Sequence, residues 1–137
     1  MANRSKAKGS AFARLIADYL ASALGDDRID RRVETGPLDK GDIGGVRLHG
    51  HRLAIEAKNH ARMELGQWLK EAVAEAGNDR ALAGIVVHKR RGYAKGGDQY
   101  ATLRLSDLVA ILRVLDGVSA APGKLGLAEP HNERHLP

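Results

Sequence analysis

The chain contains no cysteine, which excludes disulfide scaffolds, thiolate metal sites and cysteine nucleophiles, and makes a reducing, intracellular setting the simplest reading. Aromatic residues are scarce, at 4% with one Trp and one Phe, so stacking on unpaired bases is not expected to dominate any contact with nucleic acid. Long apolar runs are missing too. The longest, at 84–87 and 108–112, fall far short of the roughly 20 residues a membrane span needs, which excludes a membrane protein. The first ten residues carry charge but are not followed by an apolar stretch of the secretory type. There is no internal repeat, Walker-type phosphate loop, dinucleotide fingerprint or His-Glu-x-x-His zinc motif.

What remains is the composition of one folded domain: 137 residues, 43% hydrophobic and 28% charged. Lys and Arg number 22 against 17 Asp and Glu, a net charge of +5 that favours a polyanionic partner.

The hydrophobic pattern divides the chain into three parts. Residues 1–9, with Arg4, Lys6 and Lys8, read as a flexible basic arm. Residues 10–116 form the domain, and 117–137, with Pro122, Pro130 and Pro137 among small and polar residues, read as a disordered tail. Within the domain, Phe12, Leu15, Ile16, Tyr19, Leu20 and Ala23 draw one stripe along a helix capped by Ser10 and ended near Gly25. Residues 26–40 read as a connection, with a short strand around 29–33. Strands are expected over 42–48 and 52–58, joined as a hairpin through His49-Gly50-His51. Alternation in the second places Leu53, Ile55 and Ala57 on one face and Ala54, Glu56 and Lys58 on the other.

A second helix runs from Met63 through Trp68 and Ala72 to Ala76 and stops at Gly77-Asn78. A buried, central strand is expected over 84–88, an exposed mobile loop over 89–97, a strand over 100–105 and a helix capped by Ser106 through Leu115. The order predicts an α/β domain with a mixed sheet flanked by helices.

Asp42, followed fourteen positions later by Glu56-Ala57-Lys58, is the sharpest chemical feature. Two carboxylates and an ammonium gather where the hairpin opens. Carboxylate oxygens suit Mg²⁺, which takes one or two of them and completes its octahedron with water and substrate phosphate. A neighbouring lysine can orient the attacking water and offset charge growing on the phosphate, so these are the parts phosphodiester hydrolysis needs. Taken alone, the same residues also fit an exposed ion pair worth about 0–1 kcal/mol beside a turn aspartate.

Lys8-Gly9-Ser10 opening a helix, then Asp42-Ile43, then Leu53-Ala54-Ile55-Glu56-Ala57-Lys58-Asn59, then Gln67 at the next helix and an apolar strand, resemble the PD-(D/E)xK nuclease superfamily over residues 8–91. Within it, the similarity is nearest to archaeal-type and phage Holliday junction resolvases. The resemblance implies a restriction-endonuclease-like fold, Asp42 and Glu56 as metal ligands with the Ala57 carbonyl as a third, Lys58 as the catalytic lysine and Gln67 near the site. It further implies Mg²⁺, with Mn²⁺ as a substitute, and a homodimer acting on branched DNA in the cytoplasm of a bacterial or phage-infected cell. Other endonucleases of this type, or a catalytically weakened DNA-binding protein of the same fold, are the alternatives.

One position departs from the pattern: Ala13 stands where the family usually has a first-helix glutamate, so either a nearby acid such as Glu34 or Asp39 compensates, the enzyme works with fewer ligands, or the site is weakened. Arg4, Lys6, Lys8, Arg14, Lys89, Arg90, Arg91 and Lys95 are the candidate phosphate contacts, with Ser10 either a phosphate contact or a plain helix cap. The six histidines form no evident site, and His60, just after Lys58-Asn59, is the one placed to meet water or phosphate.

Overall fold

The first apolar stripe forms a helix, but a longer one than expected. The computed structural model describes residues 2–33 and 38–117, and in it α1 runs Ala2–Leu24. The segment read as a flexible arm is therefore helical, and Ser10 lies inside the helix rather than capping it. Ala, Arg and Lys favour helix strongly enough that one glycine at position 9, costing about 1 kcal/mol, does not interrupt it. The buried face is Phe12, Ala13, Ile16 and Ala17, whereas Ala23, placed on the stripe by its spacing, is exposed. The expected tail over 117–137 lies outside the described residues after Gly117, as does Glu34.

Six strands follow: β1 Asp30–Arg31, β2 Ile43–Gly44, β3 Arg47–Leu48, β4 His51–Lys58, β5 Ala83–His88 and β6 Tyr100–Thr102. Their order is β1-β2-β4-β5-β6, with β3 also paired to β4. β4 and β5 are parallel and the other pairings antiparallel, so the sheet is mixed. α2, Leu65–Asn78, makes the crossover between the parallel strands, and α3, Leu105–Leu115, follows β6 and packs against β5. The expected α/β class, a mixed sheet flanked by helices, is what forms. β5 is an interior strand as expected, although β4 is the middle one.

Two glycines explain details the pattern missed. The expected strand over 42–48 is broken between β2 and β3, because Gly45 takes a φ of +89° and a Cβ there would lie 2.3 Å from the Arg28 carbonyl oxygen. Gly84 lets α2 approach the sheet, since a Cβ on it would stand 2.3 Å from the carbonyl oxygen of Ala72. The hairpin turn forms as expected, with positive φ at both His49 and Gly50, the signature of a tight primed turn.

The β4 alternation holds. Leu53, Ile55 and Ala57 pack with α1, while α2 sets Trp68 and Ala72 against Val86 on the other face. Burying Ile16, Ile43 and Val86 contributes about 1.5–3 kcal/mol each. Met63, expected in the α2 core, precedes the helix and is exposed. Ser106 is not a cap either: α3 begins after Arg104, and the first-turn acid Asp107 reaches back to that arginine at 3.1 Å. The expected strand over 100–105 is shortened accordingly.

The loop over 89–97 is exposed, but it is laced together. The Gln99 side chain accepts a hydrogen bond from the Arg90 amide at 2.7 Å and donates to the Tyr93 and Lys95 carbonyls. Among the described residues, no helix is long and apolar enough to cross a membrane.

Candidate metal centre

The junction of β2 and β4 fixes Asp42. Its amide donates to the Ile55 carbonyl at 2.9 Å, and its Oδ2 accepts the Ala57 amide at 2.8 Å, which aims the carboxylate along β4 toward Glu56. Glu56 points from β4 to the α2 side and is buried. Its Oε2 lies 3.3 Å from the Lys58 ammonium, and that ammonium donates to Glu71 Oε1 at 2.7 Å. Gln67 donates to the other Glu71 oxygen at 3.1 Å, so it joins the site through Glu71. The sequence therefore brings Asp42, Glu56, Ala57, Lys58 and Gln67 into one neighbourhood.

The structure adds acids that the motif did not name. Carboxylate oxygens of Asp39, Glu56 and Glu75 lie within 4.8 Å of one another. Oε1 of Glu56 and Oε1 of Glu75 are both buried with no hydrogen-bond partner. Burial, then the charge of Asp42, pushes the Glu56 carboxyl up to about 10, with Lys58 opposing. Burial likewise pushes Glu75 up to about 8, with Asp39 and Asp42 adding to it. For Lys58, burial works downward, but the Glu71 hydrogen bond and the charge of Glu56 leave it above its ordinary value. Glu71 is held low, chiefly by the hydrogen bond from Lys58.

Buried carboxylates crowded together must take up protons or share a cation. A group of three carboxylates, two of which carry an orphaned buried oxygen, offers hard donors of the kind a divalent cation takes. Asp39, one of the two acids weighed against the absent first-helix glutamate, stands in this group. Glu75 and Glu71 were missed. Their signal was present: Gln67, Glu71 and Glu75 recur every four residues, a polar row beside the buried row Trp68, Ala72 and Ala76.

Asp42, Glu56, Ala57 and Lys58 line one wall of a cleft of about 260 Å³, whose other lining includes Lys6, Ser10 and Ala13 from α1, together with Arg31, Arg32 and His60. Ala13 thus lines the same cleft as Asp42, Glu56 and Lys58. His60 also borders an adjoining cavity of about 520 Å³ that takes in Lys8, Lys89, Arg90 and Arg91.

The predicted loop cations are largely occupied. The Lys89 ammonium donates to the carbonyls of Arg90 and Tyr93, the Arg90 guanidinium stacks 3.5 Å over the Tyr93 ring, and Arg91 donates to the Ala61 carbonyl at 2.8 Å. Arg14 is paired with Asp18 at 3.2 Å and Asp30 at 2.6 Å and lines neither cavity. The Arg4 side chain lies outside the described residues. No family model, curated protein or solved structure matches the chain.

Proposed function

We propose that the chain is a Mg²⁺-dependent, structure-selective endodeoxyribonuclease of PD-(D/E)xK type that resolves four-way DNA junctions by phosphodiester hydrolysis. The observation that carries this reading is one cleft holding Asp42, a buried Glu56 with an orphaned oxygen, and Lys58, faced by Lys6, Arg31 and Arg32. Asp42, Glu56 and the Ala57 carbonyl would hold the ion, with Asp39 and Glu75 supplying acid from the α2 side. A bound Mg²⁺, or Mn²⁺ in its place, supplies Lewis-acid charge to the phosphate and activates water. Lys58, tethered by Glu71, is positioned to orient that water and to meet charge growing on the phosphate oxygens. Gln67 steadies Glu71, and through it the lysine. Lys6 and Ser10 are the α1 groups set to meet the scissile strand's phosphates. The natural setting of such an activity is recombination or repair of branched DNA in the cytoplasm of a bacterial or phage-infected cell.

The test is a panel of linear, nicked, flapped and four-way DNAs incubated with purified protein and Mg²⁺. Symmetric paired nicks in the four-way substrate alone are expected. Cleavage of the other forms at equal rate would make it an endonuclease of broader range. Salt-dependent junction binding without cleavage in either Mg²⁺ or Mn²⁺ would make it a DNA-binding protein of this fold.

Paired cuts in a two-fold symmetric substrate call for two copies of a chain with one site. α3 supports this reading, because Leu105, Leu108, Val109, Leu112 and Leu115 are all exposed along one helical stripe. Five apolar residues contiguous on one face are more than the scattered exposure ordinary in a monomer. Leu108→Glu with Leu112→Glu should convert a dimer to a monomer in sedimentation equilibrium while circular dichroism stays unchanged. A double variant that remains dimeric would remove α3 from the interface.

A further inference from the structure

A second concentration of positive charge lies outside the cleft. A cavity of about 750 Å³ opens at the sheet edge carrying β1, β2 and β3, bounded by the C-terminal end of α2, and is lined by seven basic side chains against two acidic ones. Both acids are already engaged. Asp30 is bound by Arg14 at 2.6 Å, and the buried Asp79 is held by Arg32 at 3.3 Å and Arg52 at 3.6 Å. Arg52 also donates twice to the Asp79 carbonyl, at 3.0 and 2.8 Å, so Asp79 fixes two guanidinium groups in the cavity wall. Arg31, Arg47 and Arg80, by contrast, make no ion pair among the described residues and are exposed.

Such a cavity takes a polyanion, and two features choose its kind. No aromatic side chain lines it, so the base of a free nucleotide would find nothing to stack on, whereas phosphates would meet guanidinium forks. Arg31 and Arg32 line both this cavity and the cleft of Asp42, Glu56 and Lys58, so one basic track runs from the acidic centre to Arg47 and Arg80. A ligand filling both is a polymer of phosphates. We infer that this cavity binds the phosphodiester backbone of a DNA arm flanking the cut. It does so on the side of the cleft away from the loop at 89–97, whose cations are folded into the loop itself. The inference rests on the nuclease reading, because that reading puts DNA in the cleft.

Arg47→Gln with Arg80→Gln removes two cations that line the cavity and not the cleft. Junction binding by the full chain is measured in chelator across a range of salt. The slope of log K against log salt should fall in magnitude by about 2, near 0.9 for each phosphate left without its cation, and Arg47→Lys with Arg80→Lys should restore most of it. Hydrolysis of bis(p-nitrophenyl) phosphate, a phosphodiester with no flanking arms, should be unchanged in the Gln pair. A Gln pair that keeps the wild-type slope overturns the cavity assignment, even if the wild-type chain nicks junctions. A reduced slope in a chain that hydrolyses neither substrate upholds the cavity and removes the nuclease. Absence of junction binding by the wild-type chain overturns both.

Discussion

Glu56→Gln is expected to lower Mg²⁺-dependent junction cleavage by about 10³-fold while leaving the fold intact. The two halves of this expectation have one cause. Glu56 is buried among carboxylates, and in the cation-free chain burial and Asp42 push it up to about 10, so at neutral pH the group already holds a proton. Glutamine has the same size and shape and the same lack of charge, and it replaces the protonated acid with little disturbance. What it cannot replace is the anionic oxygen donor a hard cation needs.

Asp42→Asn should behave alike, because an amide oxygen can still accept the Ala57 amide at the 2.8 Å anchor while the charge is gone. Lys58→Ala is the harsher change. It strips Glu71 of its 2.7 Å partner and leaves the negative group beside Glu56 uncompensated, so lost stability accompanies lost rate. Initial rates with the four-way substrate, paired with thermal melts, separate the two effects. Rates within about tenfold of wild type for both Glu56→Gln and Asp42→Asn would sink the assignment of Asp42 and Glu56 as metal ligands.

Particular residues mark what could be read in advance. The β4 alternation was legible because a period of two admits only two assignments, and Ile55 and Ala57 against Glu56 and Lys58 chose between them. The same alternation sent Glu56 and Lys58 to the α2 face, where Gln67 was expected. Helix ends were less legible. Ser10 and Ser106 look like caps in a one-dimensional string, yet neither begins its helix, since residues with high helix propensity upstream of Ser10 carry α1 back to Ala2 and Arg104 precedes α3. The break between β2 and β3 depends on Arg28 crossing Gly45, a contact between segments that no local pattern reports.

The site divides in the same way. Asp42 and Glu56-Ala57-Lys58 were visible as a motif. Glu75 showed only as one member of a four-residue polar row, because its importance comes from facing β4 across the α2 packing, which Gly84 permits. The basic loop misled for a related reason: a run of cations in sequence says nothing about which of them the loop spends on its own carbonyls and rings.

The acidic centre should also make stability depend on pH in a direction that a divalent cation reverses. Glu75 is raised to about 8 and Glu56 to about 10, both from an ordinary value of 4.5. The folded chain therefore binds these protons more tightly than the unfolded chain. Where the native state holds more protons, stability falls as pH rises. The stabilisation is complete below about 4.5, declines through the Glu75 value near 8, and is exhausted above the Glu56 value near 10. In chelator, the melting temperature should thus fall by more than about 5 °C between roughly pH 6 and pH 9, even though most carboxylates favour the folded state in that range. A cation competes with the same protons for the same oxygens, so its affinity rises with pH. Millimolar Mg²⁺ should raise the melting temperature little near pH 6 and most near pH 9, flattening the curve. Glu56→Gln with Glu75→Gln removes both of these titrating groups, so the decline over this range should be lost and the melting temperature should not respond to Mg²⁺. Differential scanning calorimetry of the two chains, each with chelator and with Mg²⁺, reads all four curves. Parallel curves for the wild type and the double variant would mean that neither the protons nor the cation are held by Glu56 and Glu75.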